Sequence, residues 1–264
     1  MFGRGKKMRL TSEFQLRTQQ ERVDILANNI ANISTAGFKA SVVNLAEAFD
    51  AQEKSANLSL YGGVPDGAAL GVGTGALYHG KRIDMSQGIV TSSNNPWDLA
   101  IDGQGFFQVK ASNGDIAYTR AGMFQLDKDG LLVNQQGYAL QPEVIIPPDS
   151  GEVQIKPNGD ILTMVDGNQE VIGQITLANF TNTDGLQQIS NNLFLETLES
   201  GVAETGAPGL NGLGEVQSGA IEQSNVDLAT AMTSLIQAQR AYQMDARLLQ
   251  QGDEMSAKAN ALRR

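Results

Sequence analysis

Ala27-Asn28-Asn29-Ile30-Ala31-Asn32-Ile33-Ser34-Thr35-Ala36-Gly37-Phe38-Lys39 closes a segment whose apolar residues recur at helical spacing. Leu16, Val23 and Ile30 stand seven residues apart, and Gln19, Leu26 and Ile33 follow each of them by three, which makes an a/d seam with one polar position. Gly37 is placed to take the left-handed conformation after the last turn, with Phe38 folding back as the apolar contact that accompanies it. The start of the helix has two readings: a capping box of Ser12 and Gln15, or an earlier turn that carries Met8 and Leu10. Asn28, Asn29 and Asn32 lie within a turn of one another, and asparagine is unfavourable inside a helix. Their amides either cap a frayed helix end or bind adjacent subunits.

The far end of the chain repeats the pattern. Leu228, Leu235, Tyr242 and Leu249 recur every seven residues, with Met232, Gln239 and Ala246 four after the first three. Ser224 or Asn225 is the expected N-cap, and Ser224 with Asp227 resembles a capping box that places a carboxylate at the positive end of the helix dipole. A lone pair of such helices buries little apolar surface against the entropy of ordering it, so both termini are expected to be mobile in the monomer and to order on assembly.

Between the helices the period changes to two. Asn113-Gly114 separates residues 106–110 from 116–120, Asp129-Gly130 separates 123–126 from 131–133, and Asn158-Gly159 separates 153–156 from 161–165. Three hairpins in sequence predict an antiparallel β domain, with a loop or edge at Pro142, Pro147 and Pro148. The expected fold class is α+β and multi-domain: terminal helices paired as a coiled-coil-like domain, with an inserted antiparallel β-rich middle. The expected boundaries are 1–40 for the first helix, 41–95 for an extended connection, 96–195 for the β domain, 196–221 for the returning connection and 222–264 for the second helix.

Composition narrows the function. The 264 residues contain no cysteine, so neither disulfides nor a Cys-ligated metal site exist. Residues 1–40 carry a net charge of +4, residues 225–264 +1 and the middle −15, an acidic balance that argues against nucleic acid as a partner. The basic start at 1–9 is followed by polar residues from Thr11 to Asp24 instead of the apolar stretch of a secretory signal peptide, so export would need another route. His79, the single histidine, has no nucleophile in a recognisable context. Asp127, Asp129 and Gly130 lack the EF-hand spacing, Gly71, Gly73 and Gly75 miss the dinucleotide pattern, and Asp102 beside Gly103 and Gly105 reads as a tight turn. No catalytic residue, cofactor, metal or small-molecule substrate is expected. A secreted carbohydrate-active enzyme or an adhesin stays as a remote alternative, although no carboxylate pair is singled out and the β region has no excess length for recognition.

Four stretches together resemble a known family. Ala27 to Lys39 is similar to the signature of the flagellar rod, hook and hook-filament junction proteins. Gly103, Gly105, Phe106 and Phe107 in the stretch 102–109, Tyr118-Thr119-Arg120 with Gly122 and Phe124, and Ser224-Asn225-Val226 followed by Gln239-Arg240-Ala241-Tyr242 resemble the family's other recurrent motifs, in the expected order. Within the family, the stretch 208–212 and the small-residue connection before Lys81 look most like the distal-rod branch; Asn95-Pro96-Trp97-Asp98-Leu99 resembles the proximal-rod branch, which with a hook-type paralogue is the alternative. The N-terminal extension Met1 to Lys7 departs from the distal-rod pattern.

The resemblance implies a subunit exported unfolded by the flagellar type III apparatus and stacked into a helical tube across the periplasm. Such a tube transmits motor torque and serves as an export channel. Its implied partners are further copies of itself, other rod and hook proteins, and the periplasmic and outer-membrane ring proteins. Self-assembly is expected to rest on Leu16, Val23, Leu26, Asn28, Asn29, Ile30, Asn32, Gly37 and Phe38 at one end, and on Ser224, Asn225, Leu228, Met232, Leu235, Gln239, Arg240, Tyr242 and Leu249 at the other. Residues 45–78 resemble the segment that locks neighbouring subunits in distal-rod proteins, and the same role is expected here.

Overall fold

The computed structural model describes residues 2–49, 73–111, 114–147, 153–165, 168–189 and 192–261. The chain begins with α1 (Phe2–Ala31) and continues into a two-stranded sheet of β1 (Ser41–Phe49) and β2 (Gly73–Ile83). The β body follows. Its strands are β3 (Val90–Ser92), β4 (Leu99–Asp102), β5 (Phe106–Lys110), β6 (Ile116–Thr119), β7 (Phe124–Leu126), β8 (Leu132–Asn134), β9 (Ala139–Gln141), β10 (Val153–Ile155), β11 (Asp160–Val165), β12 (Asn168–Gln174), β13 (Leu177–Asn179), β14 (Gln187–Gln188), β15 (Leu193–Leu195), β16 (Glu204–Gly206), β17 (Glu215–Ser218) and β18 (Ala220–Glu222). α2 (Leu228–Ala261) closes the chain. The layout is α+β, with antiparallel pairing throughout the described ladders. Two compact units result: Met1–Ile30 with Ser41–Arg82 and Leu228–Arg264, and Ala31–Ala40 with Ile83–Asp227.

All three predicted hairpins form: β5 pairs β6, β7 pairs β8 and β10 pairs β11. Their turn glycines Gly114, Gly130 and Gly159 have positive φ, as short hairpin loops require. The main sheet runs β14-β15-β6-β5-β9-β8-β7, and β13 adds to β5 while pairing β16 on its other side. β5 sits in the middle and shows why this sequence folds as it does. Successive side chains of a strand point to opposite faces. Phe107 and Val109 therefore enter one apolar cluster with Leu99, Ile101, Phe124 and Leu177, whereas Phe106 enters a second with Tyr118, Phe180 and Phe194. Edge-to-face ring contacts set both: Phe107 on Phe124 at 5.4 Å between centroids, and Tyr118 on Phe180 at 4.8 Å. Each fully buried phenylalanine contributes about 2–3 kcal/mol of apolar transfer.

The structure corrects four expectations. α1 ends at Ala31 and not at Gly37. Thr35 N donates to Asn32 O and Phe38 N to Thr35 O, so two tight turns take the place of a last helical turn. Gly37 does have a positive φ of 66°, but its N–H donates to Glu222 O, and Phe38 is buried in the β-body unit. Second, neither Ser224 nor Asn225 caps α2, which begins at Leu228; Ser224 Oγ accepts from Val226 N, and Asn225 is engaged elsewhere. Third, part of the stretch read as a returning connection is sheet. β16, β17 and β18 pair β13, β4 and β3, and their small and polar residues carried little apolar alternation to reveal them. Fourth, the connection before Lys81 contains β2. Of the segment 45–78, residues 50–72, Gly71 among them, lie outside the described residues, as do Asn113, Pro148 and the side chain of His79.

Candidate functional site

The motifs that stand far apart in sequence meet inside the β-body unit, and Glu222 is where they meet. It ends β18, and its carboxylate is fully buried. Glu222 Oε1 accepts from Lys39 Nζ at 2.6 Å and from Gly88 N at 2.9 Å, and Oε2 faces Arg120 Nε at 3.6 Å. Its backbone oxygen accepts from Gly37 N at 2.8 Å. Lys39 Nζ also donates to Ser86 O at 2.6 Å, and Arg120 Nη2 to Gly103 O at 2.7 Å, while the guanidinium lies 5.8 Å from the centre of the Phe106 ring. Burial holds Lys39 below the usual lysine range, with Glu222 pulling the other way, and burial likewise lowers Arg120 against Glu222.

Around this ionic centre the backbone is tied by amides. Asn225 Oδ1 accepts from Ala40 N at 2.8 Å, and Asn225 Nδ2 donates to Asp84 O at 2.9 Å and Ser86 O at 3.2 Å. Asn192 Nδ2 donates to Ala36 O, and Thr119 Oγ1 donates to Asn192 O while accepting from Ala121 N. Gly37 is required here for two reasons: its φ is left-handed, and a Cβ would overlap the backbone of Ala121. Gly103 and Gly105 also have positive φ, and a Cβ on Gly103 would sit 2.8 Å from the Cα of Gly214.

Sequence reasoning singled out Arg120, Gly37, Phe38 and Asn225 as separate motif residues and missed Glu222 and Lys39 as partners. A signal existed. Phe38-Lys39 places a charge beside a core aromatic, and Ala220-Ile221-Glu222 places one at the end of an apolar strand.

In the helical unit the predicted residues divide. On α1, Leu16, Val23, Leu26 and Ile30 are half-buried, Asn28 is exposed, and Thr18 is buried although no pattern marked it. Asn32, just past the helix end, is half-buried and its Oδ1 accepts from Thr35 Oγ1. Asn29 binds both backbone groups of Ser41: Nδ2 donates to Ser41 O at 2.8 Å, and Oδ1 accepts from Ser41 N at 2.9 Å. Its amide thus fixes the start of β1 within the same chain. On α2, Leu228, Met232, Gln239, Arg240 and Tyr242 are exposed, Leu235 and Leu249 half-buried, and among the described residues the buried ones are Ala231 and Ala238. Alanines seven apart give a weak apolar signal, which is why they were overlooked. Leu228, Met232 and Ile236, and beyond Arg240 also Met244 and Leu248, are instead exposed at multiples of four residues.

Chemically, the ionic centre is buried and its three charges face one another, with Arg120 Nη1 and Glu222 Oε2 making no hydrogen bond. A cavity of about 220 Å³ beside β11 is lined by Gln154, Leu162, Thr163, Met164 and Gln169, none of them an acid or base. Among the described residues, no group of His, Cys, Asp or Glu has the geometry to hold a metal ion, and no helix is long and apolar enough to cross a membrane.

Comparison with known proteins follows the same division of the chain. Residues 16–39 match the model of the "Flagella basal body rod protein" family, residues 100–163 that of the "Flagellar hook protein FlgE/F/G D1 domain", and residues 217–262 that of the "Flagellar basal body rod FlgEFG protein C-terminal" region. The chain is 38% identical to the flagellar basal-body rod protein FlgG of Buchnera aphidicola from Acyrthosiphon pisum, covering 95% of this chain and 97% of that one. It is 38% identical to FlgG of Caulobacter vibrioides over 96% and 98% of the two chains, and 35% identical to FlgG of Bacillus subtilis over 89% and 91%. With both terminal helices, the β body and the junction between motifs all inside these matches, the chain belongs to the flagellar basal-body rod protein family.

Proposed function

We propose that this chain is a structural subunit of the distal rod, which self-assembles into a helical tube that carries motor torque across the periplasm and leaves a channel for export. The observation that carries it is similarity to FlgG proteins over almost their whole length, both terminal segments included. The exposed apolar row on α2 supports it physically. Five large apolar side chains on one helix leave apolar area in water, and a neighbouring subunit is the natural cover in a polymer. In this reading α1 and α2 pair as a coiled-coil-like inner layer, with Leu16, Val23, Leu26, Ile30, Leu235 and Leu249 inside it and Leu228, Met232 and Tyr242 available to neighbours. The β body faces outward, toward the periplasmic and outer-membrane rings. Other rod and hook proteins adjoin the tube at its ends, and the flagellar type III apparatus exports the chain. Residues 45–78 lock neighbouring subunits. No catalysis is part of this role.

Sedimentation and electron microscopy of the full-length chain over rising concentration, with and without isolated basal bodies as template, test the reading. Straight tubes are expected. A chain that stays monomeric in both conditions overturns it.

A further inference from the structure

Residues 37–40 and 219–225 are neighbours in the β-body unit although more than 180 positions separate Lys39 from Glu222. Backbone bonds join the two passages: Gly37 N to Glu222 O, and Asn225 N to Phe38 O. Such bonds alone would let either passage fray independently of the other. The charges do not. Lys39 and Arg120 are two buried cations, with side chains 1% and 5% exposed, and Glu222 is the buried carboxylate between them. Half-buried Asp84 adds a weaker negative field at Lys39. If the 219–225 passage leaves, Lys39 and Arg120 remain as like charges without their buried anion. If the 37–40 passage leaves, Glu222 keeps the Gly88 N–H but loses its nearer cation, and of the two cations only Arg120 remains, at the longer distance of 3.6 Å. Each passage therefore holds the charge that makes burial of the other tolerable.

We propose that Lys39, Glu222 and Arg120 form an electrostatic interlock through which the N-terminal and C-terminal passages dock onto the β body only together, with Glu222 as the positioning residue. In a polymer built from both terminal helices, the interlock keeps a subunit from joining with one end docked and the other loose. That consequence rests on the rod reading; the interlock itself belongs to the single chain.

Native-state hydrogen exchange on the unpolymerised full-length chain tests it independently of assembly. The amides of Gly37 and Asn225 report the joined passages, Gln223, whose N–H donates to Ile89 O, reports the C-terminal passage alone, and Ile175, whose N–H donates to Gly159 O, is a remote control. Glu222→Gln keeps the shape and removes the charge. It is expected to cut protection at Gly37, Gln223 and Asn225 together by at least about a hundredfold, with Ile175 unchanged. Adding Lys39→Met to Glu222→Gln removes one of the two unpaired cations, and should restore protection by about tenfold, where two independent packing defects would compound. The interlock is overturned if Glu222→Gln changes protection less than threefold, if Gly37 opens while Gln223 stays closed, or if the double variant is worse than Glu222→Gln. Should Glu222→Gln open the whole body, Ile175 included, the double variant decides: a body that closes again upholds the interlock, and one that stays open overturns it.

Discussion

The β body and α2 treat their apolar side chains in opposite ways. The body buries Phe106, Phe107, Phe124, Phe180 and Phe194 within its own sheets, each no more than 5% exposed. α2 leaves Leu228, Met232, Ile236, Met244 and Leu248 between 43% and 63% exposed and buries alanines instead. The difference teaches where stability comes from in each region. A body with its own core needs nothing outside the chain to fold, whereas a helix with this much apolar surface in water is completed only by something that covers it.

The largest expected effect breaks that comparison at the helix. Ile236→Asp should abolish polymerisation by placing a charge in the covered interface, while the melting temperature of the unassembled body stays within about 2 °C of the parent. Sedimentation and calorimetry on one sample separate the two; normal tubes from the variant would show that the row is not an assembly surface. Phe107→Ala attacks the other side. Loss of a fully buried ring at the centre of the main sheet should cost the body about 3–5 kcal/mol in denaturant unfolding, with the helical signal of the termini changed much less at low denaturant.

A smaller change sharpens the boundary between the regions. Asn29→Ala removes two buried hydrogen bonds to Ser41 and should cost about 1–3 kcal/mol locally, read as faster exchange at the Ser41 amide without loss of Phe107-centred packing. Smallest is an alkaline effect confined to the body. Burial first, and then the Glu196 carboxylate, push Tyr118 up to about 12, so the folded state favours the neutral phenol. That contribution is complete below pH 10 and is lost as pH climbs toward 12, by about 1 kcal/mol at pH 11. The difference in stability between the parent and Tyr118→Phe, followed from pH 9 to 11, should shrink by that amount; a flat difference would mean the hydroxyl titrates as in water.

Much of this was legible because the signals were local. Asn-Gly and Asp-Gly dipeptides fix hairpin loops through backbone conformation alone, and the 3.6-residue period of 228–249 describes one helix without reference to anything else. The end of α1 was not legible. Gly37 carries the mark of a helix stop, yet its left-handed backbone serves a bond to Glu222, and the helix had already ended at Ala31. Heptad spacing marked Leu235 and Leu249, which are half-buried, together with Leu228, Met232 and Tyr242, which are exposed, and it could not show that Ala231 and Ala238 are buried.

By itself, then, the sequence determined the α+β layout, the three hairpins and the family, since each rests on neighbouring residues or on motif order. Only the tertiary structure decided that Lys39, Arg120 and Glu222 are one buried cluster and that Asn29 and Asn225 fasten their own chain. Whether a charge or an amide is satisfied depends on groups brought from 12 to 185 positions away, and no spacing rule reaches that far.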